Sequence, residues 1–345
     1  MKLSVLDLVP VRAGQSTSEA LTASLSLAKV ADELGYERYW LAEHHNMPSV
    51  AATNPAILIA MVAAATSRMR VGSGGVMLPN HAPLVVAEQF ALLEAAYPGR
   101  IDLGIGRAPG SDPVTTWALR YGGGVEADAV NRFPEYVENV LAMMSPDGFS
   151  LSVSNKRYDL RATPRATSEP ATWLLGSSMY SAQLAAQLGL PYVFAHHFSG
   201  ENTEEALVTY RSQFRPGVSQ EPRTFLTLNA CVAATAEEAE ALVRPYLLAM
   251  IALRTGQELT PQISVEDAAA AVVPPQHERL AAAMRRRWVV GDPAQAKIDV
   301  AELAEQFGVD EVMIHPVSGA RAADPLTVSP GREHTLQLLA GTNTQ

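Results

Sequence analysis

Cysteine is almost absent from this chain of 345 residues, in which Cys231 is the single example. One cysteine cannot form an internal disulfide or a metal cluster built from cysteines. Because Cys231 lies in an apolar run, we expect an inert, buried thiol. The sequence therefore predicts neither a disulfide framework nor a thiolate metal centre.

Basic charge is also scarce, since 26 Lys and Arg residues face 36 Asp and Glu residues and leave a formal net charge of −10. Nucleic acids and anionic membranes select basic surfaces, so we expect neither as a partner. No run approaches the roughly 18 apolar residues that a membrane-spanning helix needs. The first residues also lack the pattern of a secretory signal. The expectation is a soluble, cytoplasmic protein whose ligand is a small molecule and which binds no metal.

Short apolar segments alternate with longer segments of helical periodicity along the whole chain, as in repeated βα units around a parallel sheet. Eight strands are predicted, at residues 3–8, 38–42, 70–77, 101–105, 172–175, 192–195, 224–232 and 311–314. Helices are predicted at residues 17–34, 83–95, 127–144, 181–188, 203–214, 236–255, 293–307 and 332–339. Eight such units predict a (β/α)8 TIM barrel, and we assign residues 1–345 to one domain.

Two connections, residues 107–171 and 233–310, are longer than a barrel requires. Insertions are therefore predicted after strands four and seven. The first contains a polar, alternating stretch at residues 149–160 that favours a hairpin. The second contains a segment from Thr260 to Arg287 for which a mobile lid over the site is plausible.

Polar residues and glycines follow most of the predicted strands, at the barrel end where function usually collects. The residues in question are Glu43, His44 and His45 after strand two, Ser73, Gly74 and Gly75 at strand three, Gly106 and Arg107 after strand four, Gly176, Ser177 and Ser178 after strand five, His196 and His197 after strand six, and His315 at strand eight. Glycine lets the backbone approach a flat ligand, and an arginine beside a serine-rich helix start suits a phosphate. Together they predict a planar, phosphorylated cofactor.

Six motifs occur in a fixed order along the chain: YWLAEHH at 39–45, VGSGGVMLP at 71–79, GIGR at 104–107, GSS at 176–178, LAAQLGLP at 184–191 and VGDP at 290–293. With these motifs the sequence resembles the bacterial luciferase-like family of flavin-dependent monooxygenases over nearly its whole length. The resemblance implies reduced FMN and molecular oxygen as reactants and a small organic molecule as substrate. Family members are often dimers, and the apolar residues 57–65 are the expected contact in a homodimer.

The resemblance also assigns residues to the cofactor. Arg107 would pair with the FMN phosphate, and Ser177, Ser178 and Ser181 would complete its cradle. The turn Ser73-Gly74-Gly75 would lie beneath the flavin ring, at a cis peptide bond that does not involve proline. Ser177 replaces the acidic residue of light-emitting relatives and Gly106 replaces their reactive cysteine, which argues against bioluminescence.

Histidines are the expected groups for proton transfer. His44 matches the family's catalytic histidine, which acts as a base once reduced FMN has met oxygen, and an imidazole pKa of about 6.5 suits that task. His45, His196 and His197 are expected to line the substrate pocket, although a structural role for each stays open. His81 and His315 are expected to be structural.

Three other functions compete with this one. A deazaflavin-dependent hydride-transfer enzyme would share the barrel, and a metal-dependent hydrolase would use histidines at strand ends but lacks its usual His-x-His pair in strand one. A non-catalytic flavin-binding protein would not need His44. No Gly-x-Gly-x-x-Gly unit opens a helix after a strand, so we expect a separate flavin reductase to supply the reduced FMN.

Overall fold

The computed structural model describes residues 1–108, 112–120 and 128–341. Its strands are β1 (Lys2–Asp7), β2 (Arg38–Leu41), β3 (Arg70–Ser73), β4 (Val76–Met77), β5 (Ile101–Gly106), β6 (Phe149–Val153), β7 (Lys156–Leu160), β8 (Ala171–Gly176), β9 (Tyr192–Phe194), β10 (Thr224–Val232), β11 (Val289–Gly291) and β12 (Glu311–Pro316). Its α-helices are α1 (Thr17–Glu33), α2 (Pro55–Ala65), α3 (Pro83–Ala96), α4 (Pro113–Leu119), α5 (Asp128–Asn131), α6 (Phe133–Met144), α7 (Met179–Leu188), α8 (Thr203–Gln213), α9 (Ala236–Arg254), α10 (Val265–Ala270), α11 (Glu278–Arg285), α12 (Pro293–Phe307) and α13 (Pro330–Ala340).

A closed parallel barrel forms the centre of the fold, in the order β1, β2, β3, β5, β8, β9, β10 and β12. It closes where β12 returns to β1, with Val312 beside Leu3, while β10 pairs with β9 through Phe225 and Val193. The predicted strand 70–77 is divided, because β4 follows β3 after a short break and pairs with β5. The predicted (β/α)8 barrel is confirmed. Parallel strands bring their carboxyl ends to one edge, which we call the C-terminal rim.

Capping residues set the length of the first connecting helix. The Ser16 side chain accepts the Glu19 amide, and the Glu19 carboxylate accepts the Ser16 amide in return, so α1 begins with a capping box. The helix ends before Gly35, whose φ of +80° confirms the predicted left-handed stop. Reciprocal caps at a helix end satisfy backbone groups that would otherwise lack partners.

Both predicted insertions are present. The first holds α4, α5, α6 and the antiparallel hairpin of β6 and β7, as expected for residues 149–160. The start of the predicted helix at Ala127 lies outside the described residues, and the part described is divided between α5 and α6. The second insertion holds α9 to α12, and it adds β11 as an unforeseen strand beside β10.

The segment from Thr260 to Arg287 is tied to its surroundings by several contacts. The Arg244 guanidinium of α9 donates from Nε to the Ala268 carbonyl oxygen at 2.6 Å, and Gln262 forms an isolated parallel bridge with Arg12. The predicted mobile lid thus contains two short helices, α10 and α11, and its movement stays a prediction.

Aromatic side chains fill the barrel interior. The Trp40 ring centroid lies 5.8 Å from that of Trp173 and 5.1 Å from that of Phe225. Below them, the Arg38 guanidinium pairs with the Asp102 and Glu311 carboxylates at 2.6 Å each. These aromatic side chains and the Arg38 ion pairs fill the amino end of the barrel, so a ligand is expected at the C-terminal rim.

Cys231 is buried, as predicted, and burial raises the pKa of its thiol to about 12. No helix in the described part of the chain combines the length and the apolar character needed to cross a bilayer.

Candidate functional site

Glycines at the rim allow the strands to approach each other closely. A Cβ atom on Gly74 would lie 2.7 Å from Leu6 Cδ1, and one on Gly75 would lie 2.8 Å from the Gly104 carbonyl oxygen. The peptide bond that joins Gly74 and Gly75 is cis, which confirms the expected cis peptide at this turn. Gly106 differs from these residues, since the nearest atom to its built Cβ is the Val76 carbonyl oxygen at 3.9 Å.

Ser73 contributes its hydroxyl to the barrel rather than to the rim. Its Oγ donates to the Gly104 carbonyl oxygen at 2.8 Å and accepts the Gly104 amide at 2.9 Å, and the residue is fully buried. The part of this turn that can face a flat ligand is therefore the backbone of Gly74 and Gly75.

His44 follows β2 beside that turn, because Leu41 pairs with Ser73 in the sheet. Its Nδ1 atom is buried and has no hydrogen-bond partner among the residues that the structure describes. Burial lowers the pKa of His44, opposed by the neighbouring Glu43 and reinforced by His45. An unpaired buried nitrogen is unusual in folded proteins and calls for an explanation.

Glu43 organises the loop around His44. Its Oε1 accepts hydrogen bonds from the Nε2 atoms of His45 and His81 at 2.7 Å each, and its Oε2 accepts the Met77 amide at 2.8 Å. Burial alone would raise the pKa of Glu43, but the hydrogen bond and charge of His81, together with the hydrogen bonds from His45 and the Met77 amide, lower it. The sequence motif contained Glu43, yet nothing in the motif showed that it joins these histidines.

Glu43, His45 and His81 are also a possible set of metal ligands, since one ligand atom from each lies within 4.8 Å of the others. Two imidazoles and a carboxylate are common metal ligands. In the described structure, the three groups satisfy one another through hydrogen bonds. His45 is thus placed against Glu43, and its expected contact with substrate stays a prediction.

Two further histidines complete the inner rim. His197 Nδ1 lies 2.9 Å from Thr227 Oγ1, and His315 Nδ1 lies 2.8 Å from Asn229 Oδ1. Burial lowers the pKa of His197 to about 3, aided by His196 and by His44, and burial also lowers the pKa of His315. The three histidines of the inner rim, His44, His197 and His315, are therefore neutral at pH 7. The ring centroid of His315 lies 6.1 Å from that of His197, and its expected structural role stays a prediction.

Arg107 follows β5, and its side chain lies beside the start of α7, where a phosphate was predicted. Its guanidinium carbon is 4.2 Å from the ring centroid of Tyr180, the second residue of that helix. Ser178 precedes the helix without a side-chain cap, and Ser177 is exposed. A helix start with uncapped amides beside a guanidinium is suited to an anion.

The Ser181 hydroxyl is buried at this helix start and is already hydrogen-bonded within the protein. Its Oγ donates to the Ser178 carbonyl oxygen at 2.7 Å and lies 3.0 Å from the Tyr192 hydroxyl. A Cβ on Gly176 would be 2.2 Å from the same Oγ, so the hydroxyl packs beneath the strand end. Arg107 is therefore placed beside the start of α7, which Ser177 and Ser178 precede. The Ser181 hydroxyl is instead engaged with Ser178 and Tyr192.

His196 points to the outer side of the rim. Its Nδ1 is 2.8 Å from Thr203 Oγ1, and its ring meets the Phe307 ring edge-on at 5.3 Å between centroids. Burial lowers the pKa of His196 to about 4, with a smaller contribution from Arg287. His196 still lines one cleft with His197, so its expected place in a substrate pocket stays a prediction.

Known proteins match the chain over most of its length. The family model described as luciferase-like monooxygenase matches residues 1–311. A luciferase-like monooxygenase of Escherichia coli (strain K12) is 42% identical over 315 residues, which cover 90% of this chain and 90% of that protein. An N-acetyl-S-alkylcysteine monooxygenase of Bacillus subtilis (strain 168) is 35% identical over 261 residues, which cover 75% of this chain and 76% of that protein.

Solved structures share the fold. The crystal structure of apo-MsnO8 is 35% identical, with a TM-score of 0.84 over 98% of this chain and 97% of its own. The oxygenating constituent of 3,6-diketocamphane monooxygenase from Pseudomonas putida, in complex with FMN, is 18% identical with a TM-score of 0.72 over 99% and 97% of the two chains. An F420-dependent secondary alcohol dehydrogenase, in complex with an F420–acetone adduct, is 14% identical with a TM-score of 0.69 over 98% of each chain.

Proposed function

The chain belongs to the luciferase-like monooxygenase family and is a monooxygenase, and we propose that it oxidises a small organic substrate with reduced FMN and molecular oxygen. The observation that carries the proposal is His44, whose buried Nδ1 atom is unpaired at the rim beside the Gly74–Gly75 turn. A histidine that merely capped a loop would use its nitrogens in hydrogen bonds. A neutral imidazole with an unused nitrogen can instead accept a proton from a bound molecule.

The described residues fit FMN in two respects. Arg107 and the uncapped start of α7 supply a guanidinium and backbone amides for the phosphate. The backbone of Gly74 and Gly75, with the open space at Gly106, allows a flat ring to approach the rim. When bound, FMN would supply the electrons that activate oxygen, while the protein binds, orients and excludes water.

The proposed reaction also needs a source of reduced FMN and a substrate. A separate reductase would supply reduced FMN, since the sequence contains no dinucleotide-binding fingerprint. The relative that acts on N-acetyl-S-alkylcysteine makes an organosulfur compound a reasonable first substrate to test.

We further propose one domain and a cytoplasmic homodimer. The exposed apolar side chains of Ile57 on α2 and of Val85 and Leu92 on α3 would be covered by the second copy. Ile57→Glu should then shift the mass measured by light scattering from that of a dimer towards that of a monomer. An unchanged mass would contradict the proposed interface.

The nearest alternative is hydride transfer with a deazaflavin, because a dehydrogenase of that kind shares the fold. The two are separated by titrating the chain with FMN and with F420 and by measuring oxygen consumption with each reduced cofactor. We expect FMN to bind more tightly and its reduced form to consume oxygen in a protein-dependent reaction. Tighter binding of F420, without oxygen consumption, would contradict the proposal.

A further inference from the structure

A narrow cleft opens at the rim between the segment after β9 and the second insertion. Met250, Met284 and Trp288 are nearly buried and form its apolar wall. His197 forms the wall of the cleft that faces the inner histidines, and Arg287 contributes a positively charged side chain to the lining. The cleft therefore combines an apolar wall with a cation.

Arg287 is held in place by the segment after β9. Its Nη1 donates to the Ser199 carbonyl oxygen, and its Nε donates to the Ala283 carbonyl oxygen at 3.3 Å. Gly200 has a φ of +67°, and a Cβ there would lie 2.6 Å from Arg287 Cδ, so this turn is shaped around the arginine. Little entropy remains to be lost when this guanidinium binds a ligand.

The neighbouring charges favour an anion. Carbonyl groups do not neutralise Arg287, and Glu201, 4.0 Å from Nη1, is 80% exposed and forms a weak pair. A second guanidinium, that of Arg254, lies 4.3 Å from the ring centroid of Phe198, which also lines the cleft. These two arginines make the cleft locally positive, although the chain as a whole carries a formal charge of −10.

An aromatic path connects the cleft with the inner histidines. Trp288 contacts Tyr246 at 5.1 Å between ring centroids, and Tyr246 contacts His315 at 5.5 Å. His315 in turn lies 6.1 Å from His197. A molecule seated in the cleft would thus lie along a wall that ends at His197, whose pKa His44 helps to lower.

We propose that this cleft binds the substrate, and that the substrate combines an apolar chain with a carboxylate that pairs with Arg287. The inference rests on the proposed monooxygenase function. A guanidinium presents its donors in a fork that matches a carboxylate, and the pair is favoured where the surroundings exclude water. Met250, Met284 and Trp288 would contact the apolar part.

The test compares 4-phenylbutanoate with 4-phenylbutanamide, two probes of the same size that differ in charge. Binding to the full chain is measured by calorimetry with FMN present and absent. We expect the acid to bind at least about tenfold more tightly than the amide, because a hydrogen bond to a charged group is worth that factor or more. Arg287→Gln should abolish the preference, and Arg287→Lys should keep part of it.

Arg286 provides the matched control, since it is adjacent and exposed. Arg286→Gln should leave the preference for the acid unchanged. Equal binding of acid and amide, an equal loss in both glutamine variants, or no binding of either probe would each overturn the inference. FMN binding to the wild-type chain is measured in a separate titration. If FMN binds but the acid is not preferred, only the substrate class is refuted. If FMN does not bind, the proposed function itself is refuted.

Discussion

Arg107 is a single residue on which the cofactor assignment can be tested, because FMN and riboflavin differ in the phosphate that it would pair with. Arg107→Ala should weaken FMN binding about tenfold or more, as expected for loss of a charge-assisted contact, and should leave riboflavin binding nearly unchanged. Fluorescence titration of both flavins measures this. A similar loss for both ligands would show that Arg107 acts on something other than the phosphate.

For individual residues, the sequence motifs predicted which strand end or helix start a residue occupies more reliably than they predicted its hydrogen-bond partners. Arg107 lies at the start of α7, as the motif order implied, but the Ser181 hydroxyl is bonded to Ser178 and Tyr192. Glu43 stood inside the quoted motif without any sign that it would join His45 and His81. Side-chain direction depends on neighbouring elements, and a linear motif does not contain them.

The turn between β3 and β4 shows how a position can require glycine. Gly74→Ala should lower the free energy of unfolding by about 1–3 kcal/mol, because its Cβ would overlap Leu6 Cδ1 in the packed interior. Gly106→Ala is the matched control and should change it by less than about 0.5 kcal/mol, since its Cβ has room. Urea denaturation measures both. Equal effects in the two variants would mean that the contact with Leu6 does not limit packing.

Elements differed in how well the sequence predicted them. The eight barrel strands were predicted because apolar segments recur with βα spacing, and the hairpin at residues 149–160 because its side chains alternate. The strand β11 and the helices α10 and α11 were not predicted. β11 is three residues long and is defined by its pairing with β10, a tertiary contact that local periodicity does not reveal.

For the whole molecule, buried neutral histidines predict a loss of stability in mild acid. The pKa values of His44, His196, His197 and His315 are lowered by burial, to about 4 for His196 and about 3 for His197. The unfolded chain would protonate these groups near pH 6.5, so their full contribution is present above that pH and is lost as the pH falls. Each contributes a slope of up to about 1.4 kcal/mol per pH unit.

Urea denaturation at a series of pH values checks this expectation. The free energy of unfolding should fall steadily from pH about 6.5 to about 5, above the range in which carboxylates such as Asp7 and Glu43 begin to contribute. His197→Gln should reduce the slope of the unfolding free energy against pH by the contribution of one protonating group, up to about 1.4 kcal/mol per pH unit. A flat profile over this interval would contradict the neutral state assigned to the inner histidines.

The proposed function depends above all on His44, which we propose transfers a proton after reduced FMN has met oxygen. The most direct measurement reduces FMN anaerobically on the protein, admits air and follows the return of oxidised-flavin absorbance across pH. His44→Ala should bind FMN normally yet change this rate by about tenfold or more, with partial recovery on adding imidazole, while His196→Ala, which removes a ring packed against Phe307, should not. Identical rates and pH profiles for the wild-type protein and His44→Ala would contradict proton transfer by His44.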